Sequence, residues 1–187
     1  MNNRSQHIIK AHNYWKNFLQ EGNTAIDATL GNGYDTLVLA NLLKKGLLYG
    51  FDIQKIAIDN TKEILIKNGF DFKNIFLFNA SHVDFESFVK KKVNLIVYNL
   101  GYLPGSDKLI KTGSDTIKSL KSALTILDNK GAISITCYPG HTEGEQEEKE
   151  ILAFLKGQEH SKFEICYHIW LNKEKAPSLI WIKKLKF

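Results

Sequence analysis

Residues 24–36, TAIDATLGNGYDT, decide the fold. Thr24–Asp27 is a short apolar run that reads as a buried strand. Gly31 and Gly33 follow within six residues, and Asp35–Lys45 then places Leu37, Ala40 and Leu43 along one side of a helix. Strand, glycine turn and helix in that order make the opening unit of a doubly wound sheet. Outward from it the unit recurs. Leu47–Asp52 is a strand, and Gln54–Asn68 a helix closed by Gly69. Asn74–Asn79 is a strand and Asp84–Lys91 a short helix. Val93–Asn99 lacks any alternation, as expected of a strand covered on both faces. A long loop leads to a helix over 115–127, which ends in the turn Asp128-Asn129-Lys130-Gly131. Strand Ala132–Cys137 and helix Gly144–Lys156 follow, the helix with Glu145, Glu147 and Glu148 near its positive end. Upstream, residues 5–20 read as a helix capped by Ser5, with Ile8, Trp15, Phe18 and Leu19 at near-helical spacing. Phe163–Leu171 and Ser178–Lys186 are the last two strands. About six residues separate them, too few for a parallel crossover of a dozen or more, so this pair is antiparallel. The expectation is an α/β fold: a seven-stranded, mostly parallel sheet with an antiparallel C-terminal hairpin and helices on both faces.

The 187 residues suit one domain over 1–187, with an N-terminal helix within 1–22 packed on it. Hydrophobic residues make up 43% and charged residues 24%, which excludes disorder, a collagen-like repeat and a disulfide scaffold. No apolar run approaches the roughly 18 residues of a membrane span. The first fifteen residues lack the apolar core of a secretory leader. Cys137 and Cys166 form no CxxC pair, so neither a metal nor a disulfide is expected, and the compartment reads as the reducing cytoplasm. The net charge is 25 − 20 = +5, and Arg4 is the only arginine. An anionic partner would be held by lysine point charges rather than arginine forks. Lys90–Lys92 and the Lys183, Lys184, Lys186 cluster read as solvated surface.

Ligands of such sheets bind at the carboxyl ends of the strands. Gly31 and Gly33 let the backbone turn and approach a ligand there. Asp52 closes the second strand 21 residues after Gly31, where a carboxylate can accept from ribose hydroxyls. A dinucleotide site would carry Gly at position 36, where this chain has Thr36. Asp35 would repel a diphosphate at the helix start. Asp27 and Asp35 instead favour S-adenosylmethionine, which carries a sulfonium and an ammonium. Ser81 and His82 follow the third strand, where an adenine could be bracketed. Asn99 ends the fourth strand and offers both an acceptor and donors. Tyr102 and Pro104 could clamp a flat base beside it. His141 and Glu143 reach the same edge, with His141 open to a general-base, orienting or structural role. Cys137 reads as core. A nicotinamide oxidoreductase and a non-catalytic RNA-binding module are the competing classes, disfavoured by Thr36 and Asp35 and by the intact Asp27, Asp52 and Asn99 respectively.

The segments AHNYW (11–15), DATLGNGYDTLVLA (27–40), YGFDIQKIAIDNT (49–61), YNLGYLPGSDKLIKTGSDTIKSL (98–120) and YPGHTEGEQEE (138–148) carry a resemblance. The chain resembles a class I S-adenosylmethionine-dependent methyltransferase. More narrowly, it is similar to a bacterial family labelled rRNA methylases and now assigned as tRNA 5-aminomethyl(-2-thio)uridine N-methyltransferases of the wobble uridine. The resemblance implies a Rossmann-like methyltransferase fold and S-adenosyl-L-methionine as cofactor. It implies cofactor contacts at Asp27, Thr29, Gly31, Asn32, Gly33, Asp35, Thr36, Asp52, Ile53, Gln54, Ser81, His82 and Asn99. On the substrate side it implies Tyr102, Leu103, Pro104, Gly105 and His141, with Asn99, Tyr102 and His141 catalytic. The implied partner is the anticodon loop of tRNA, held by lysines of one domain or of a homodimer. A methyltransferase acting on an rRNA base or a small molecule is the alternative within the fold. The chain departs from the pattern at Thr29, where the general class has Gly, and at Tyr34, where the family often has His. The match is loose at NKEKAPS (172–178).

Overall fold

The computed structural model describes residues 6–101 and 113–186. Helix α1 spans Gln6–Phe18, strand β1 Thr24–Asp27, α2 Tyr34–Leu42, β2 Leu47–Asp52, α3 Lys55–Lys67 and β3 Ile75–Asn79. A 3₁₀ turn over His82–Asp84 leads into α4, Phe85–Phe88. Then come β4 Val93–Asn99, α5 Gly113–Ile126, β5 Leu127–Cys137, α6 Thr142–Lys156, β6 Phe163–His168 and β7 Ser178–Lys184. The seven strands form one sheet in the order β3-β2-β1-β4-β5-β7-β6. Strands β1 to β5 pair in parallel, while β7 runs antiparallel to both β5 and β6. The reversal is therefore confined to β7, which the short connection folds back between its two neighbours.

Successive residues of each central strand feed opposite cores. Ile26, Ile96 and Tyr98 face one side with Phe51, Phe85, Leu120 and Ile151. Ala25, Leu95 and Val97 face the other with Trp15, Leu39, Leu65 and Trp181. The unbroken apolar run of β4 is the mark of this two-sided burial.

Four expectations shift in detail. The short helix expected over Asp84–Lys91 is shorter: four residues, prefaced by the 3₁₀ turn that Ser81 caps by accepting from the Val83 N–H at 3.2 Å. The Asp128–Gly131 turn is absorbed into β5 as an irregularity. Leu127 pairs with Val93, but Ala132 already pairs with Leu95, so the intervening residues bulge, with Lys130 at φ 64°. Strand β6 ends at His168, three residues short of the expected Leu171, which is 97% exposed. On α1 the buried residues are His7, Ala11 and Trp15, a stripe one helical turn apart that periodicity of apolar residues alone did not show.

The order reverses between β1 and β4, so their carboxyl ends open a crevice at the switch point. Because β7 is antiparallel, its first residue, Ser178, sits beside Cys137 at this same edge.

Candidate active site

The turn after β1 is built on hydrogen bonds to two aspartates. Asp27 is buried. It accepts from the Thr36 hydroxyl at 2.6 Å and from the Thr29 N–H at 3.1 Å. Asp52, at the end of β2, accepts from the backbone N–H groups of Gly31 at 3.1 Å and Gln54 at 2.9 Å. One carboxylate thus ties the glycine turn to the start of α3. Asn79 braces the same corner by donating to the carbonyls of Asp52 and Ile53 at 3.0 and 2.8 Å. Gly31 and Gly33 both adopt positive φ, 53° and 78°. Gly33 has a reason beyond the expected one: a Cβ there would lie 2.8 Å from the Thr61 Cα, so glycine at this position makes room for α3.

Asn99 ends β4 directly across the switch point. Its N–H donates to the Thr29 hydroxyl at 2.7 Å, and its amide Nδ2 donates to Asp35 Oδ2 at 2.9 Å. Its Oδ1 is buried with no hydrogen-bond partner among the described residues. Asp35 is not an open carboxylate at the mouth, as the sequence suggested. Its second oxygen, Oδ1, accepts from His12 Nε2 at 2.7 Å, so both oxygens are engaged within the site.

Three members of this cluster escaped the sequence reading: His7, His12 and Tyr138. His7 Nε2 lies 3.2 Å from the Tyr138 hydroxyl. The Tyr138 ring covers Gly101, whose Cβ position is 3.2 Å from it. Burial, followed by the nearby Asp35 charge, pushes the Tyr138 phenol up to about 12, so it stays protonated at neutral pH. Burial also pulls His7 below its usual value, so it tends to the neutral form. The available signal was the AHNYW segment, which places His12 beside the buried pair Ala11 and Trp15.

Asn32 accepts from the Asn60 amide at 3.2 Å on the surface. Ile53 is 41% exposed beside Asp52, an apolar patch next to a carboxylate. The His82 ring meets Tyr98 edge-on with centroids 5.8 Å apart, and its carbonyl accepts from Ser119 at 3.0 Å. His141 caps α6: its Nδ1 accepts from the Gly144 N–H at 3.0 Å, with Glu143 Oε2 3.3 Å from the same nitrogen. The cap occupies the Nδ1 lone pair, and in the neutral ring the proton then sits on Nε2. Capping and proton abstraction therefore compete at His141. Cys137 is buried, as expected, and burial holds its thiol well above the usual range. Tyr102, Leu103, Pro104, Gly105 and Ser5 lie outside the described residues. Among the described residues no group of three or more His, Cys, Asp or Glu is arranged to hold a metal, and no helix is long and apolar enough to cross a membrane.

Strand order, reversed β7 and an acidic, glycine-turned crevice at the switch point define a class I methyltransferase fold. A family profile described as "Putative rRNA methylase" matches residues 48–184, and the chain belongs to that family. The chain is 37% identical over 185 residues to the Arabidopsis thaliana protein "tRNA (mnm(5)s(2)U34)-methyltransferase, chloroplastic", covering 93% of this chain and 68% of the relative. A Clostridium thermocellum "putative rRNA-methylase" superposes with TM-score 0.92 at 35% identity, over 97% of this chain and 98% of the other. The Streptococcus mutans protein SMU.1697c, a "putative methyltransferase" solved in complex with SAH, gives TM-score 0.88 at 31% identity, over 97% and 99%.

Proposed function

We propose that the protein transfers a methyl group from S-adenosyl-L-methionine to the exocyclic amine of 5-aminomethyl(-2-thio)uridine at the tRNA wobble position. The observation that carries the reading is the buried, unpartnered Oδ1 of Asn99 at the switch point. A buried acceptor left without a donor is costly, and an incoming amine N–H supplies one. The acceptor base is inferred from the relative named for a U34 methyltransferase.

The residues present fit the cofactor. Asp52 keeps lone pairs free for ribose hydroxyls after accepting two backbone N–H groups. Ile53 offers an apolar surface to a purine. Asp27, Asp35 and Asp52 lie close enough that the last two raise the first, and a ligand with a sulfonium and an ammonium relieves that crowding of acids. S-adenosyl-L-methionine supplies a methyl already activated by its positive sulfur, so the protein's part is orientation and desolvation. Asn99 Oδ1 accepts one N–H of the neutral amine and aims its lone pair. Tyr102 stacks on the base, and the leaving proton passes to water, directly or by relay through the Tyr102 hydroxyl, which gives up its own proton as it accepts one, while His141 holds the N-terminal end of α6.

An anticodon loop suits this site because its bases are single-stranded and can be splayed into a pocket without melting a duplex. Lysines hold the flanking phosphates, from one copy of the chain or from a homodimer. Two free cysteines suit the cytoplasm. The test incubates the protein and S-adenosyl-L-methionine with tRNA carrying 5-aminomethyluridine, followed by nucleoside mass spectrometry. Conversion to 5-methylaminomethyluridine is the expected result. An unchanged nucleoside with methyl transfer to rRNA would overturn it.

A further inference from the structure

We infer that His12 is a positioning residue for the methyl acceptor, acting through Asp35 on Asn99. The inference rests on the reading of Asn99 given above. A carboxylate can only accept hydrogen bonds. The Asn99 amide must therefore turn its NH₂ toward Asp35 Oδ2, at 2.9 Å, and its Oδ1 away, into the unpartnered position. Asp35 in turn is mostly buried and lies near another acid, Asp27. A carboxylate in that setting needs a donor on its second oxygen to keep one orientation. His12 Nε2, at 2.7 Å from Oδ1, is that donor. The side chains of both partners are only 13% and 12% exposed, so water competes weakly for the bond.

His12 is delivered by α1, an element outside the alternating strand–helix units. The helix is anchored without it, by the buried Ala11 and Trp15 and by the His7–Tyr138 contact. The His12 ring itself packs on Trp15 with centroids 4.8 Å apart, which fixes the direction of Nε2. The N-terminal helix thus completes the acceptor side of a crevice whose other walls come from β1, β2 and β4.

The test compares wild type, His12→Ala and His12→Gln in steady-state methyl transfer to tRNA, with cofactor affinity measured by calorimetry. His12→Ala should lower kcat by roughly tenfold to a hundredfold, the scale of a displaced orienting group, while KM for tRNA and Kd for the cofactor stay within about twofold. His12→Gln keeps an N–H donor for Asp35 and should recover most of the lost kcat. Unchanged kcat in His12→Ala overturns the inference. So does a parallel loss of kcat, cofactor affinity and thermal stability in both variants, since that pattern means the histidine only holds the helix. The Asn99 side-chain amide signal in ¹⁵N NMR supplies a readout free of turnover. It should be sharp and downfield-shifted in wild type and change in His12→Ala. If wild type methylates no tRNA but this signal behaves as stated, the substrate reading falls and the positioning role stands. A signal unchanged in His12→Ala overturns the role itself.

Discussion

Asp27 is a carboxyl buried at the end of β1. Burial first, and then the nearby Asp35, push its carboxyl from an ordinary 3.8 up to about 7, against the opposing hydrogen bonds from Thr36 and Thr29. The folded state therefore binds a proton that the unfolded chain releases between about pH 4 and pH 7. In that window the native state holds more protons, so stability falls as pH rises and levels off above about 7. Urea midpoints of wild type against Asp27→Asn should diverge accordingly, with the wild type losing ground between pH 5 and pH 7; parallel curves would mean that Asp27 stays ionised. Asp52 gives a second prediction at this scale. Its carboxylate joins Gly31 to Gln54, and Asp52→Ala should weaken cofactor binding by about 1.5–3 kcal/mol, the range for hydrogen bonds to a charged group, as read by calorimetry. Both aspartates were legible in the sequence because each ends a strand. The engagement of Asp35 by His12 and Asn99 was not, because those partners lie 23 and 64 residues away.

The helices show which glycines the fold needs and why. Gly33 and Gly69 share φ 78°, but a Cβ at Gly33 would strike Thr61 while one at Gly69 meets open space. Gly69→Ala should thus cost only the left-handed backbone penalty, about 1–2 kcal/mol. Gly33→Ala should cost clearly more and should also separate α2 from α3, since Thr61 is backbone-anchored and cannot step aside. Denaturant unfolding of the two variants checks the difference; equal losses would show that the helix contact gives way freely. The sequence marked both glycines as turn points. It could not separate them, because the distinction is made by a neighbouring helix that approaches one and not the other. The same limit applies to α1. Its helical spacing was readable, but the polar His7 sits on the buried stripe because Tyr138, 131 residues on, supplies its partner.

Across the whole molecule, a tRNA substrate must be gripped by a chain with 24 lysines and one arginine. Point-charge contacts make that grip salt-dependent. If three lysines neutralise phosphates of a single-stranded loop, affinity for tRNA should fall about twentyfold between roughly 50 and 200 mM salt. Filter binding or fluorescence anisotropy across that range is the measurement, and a flat response would remove the electrostatic docking. The order of residues was enough to specify the alternation of strands and helices, the antiparallel pairing of the last two strands and the acidic ends of β1 and β2. These follow from local periodicity, loop length and strand termini, all of which are properties of short segments. The tertiary structure alone decided the strand order that sets β1 beside β4. It decided the docking of α1 over the crevice, the capping duty of His141 and the joining of His12, Asp35 and Asn99 into one chain of hydrogen bonds. Those facts depend on which distant segments pack together, and a carboxylate's partner is chosen by proximity in space, which the order of residues along the chain does not encode.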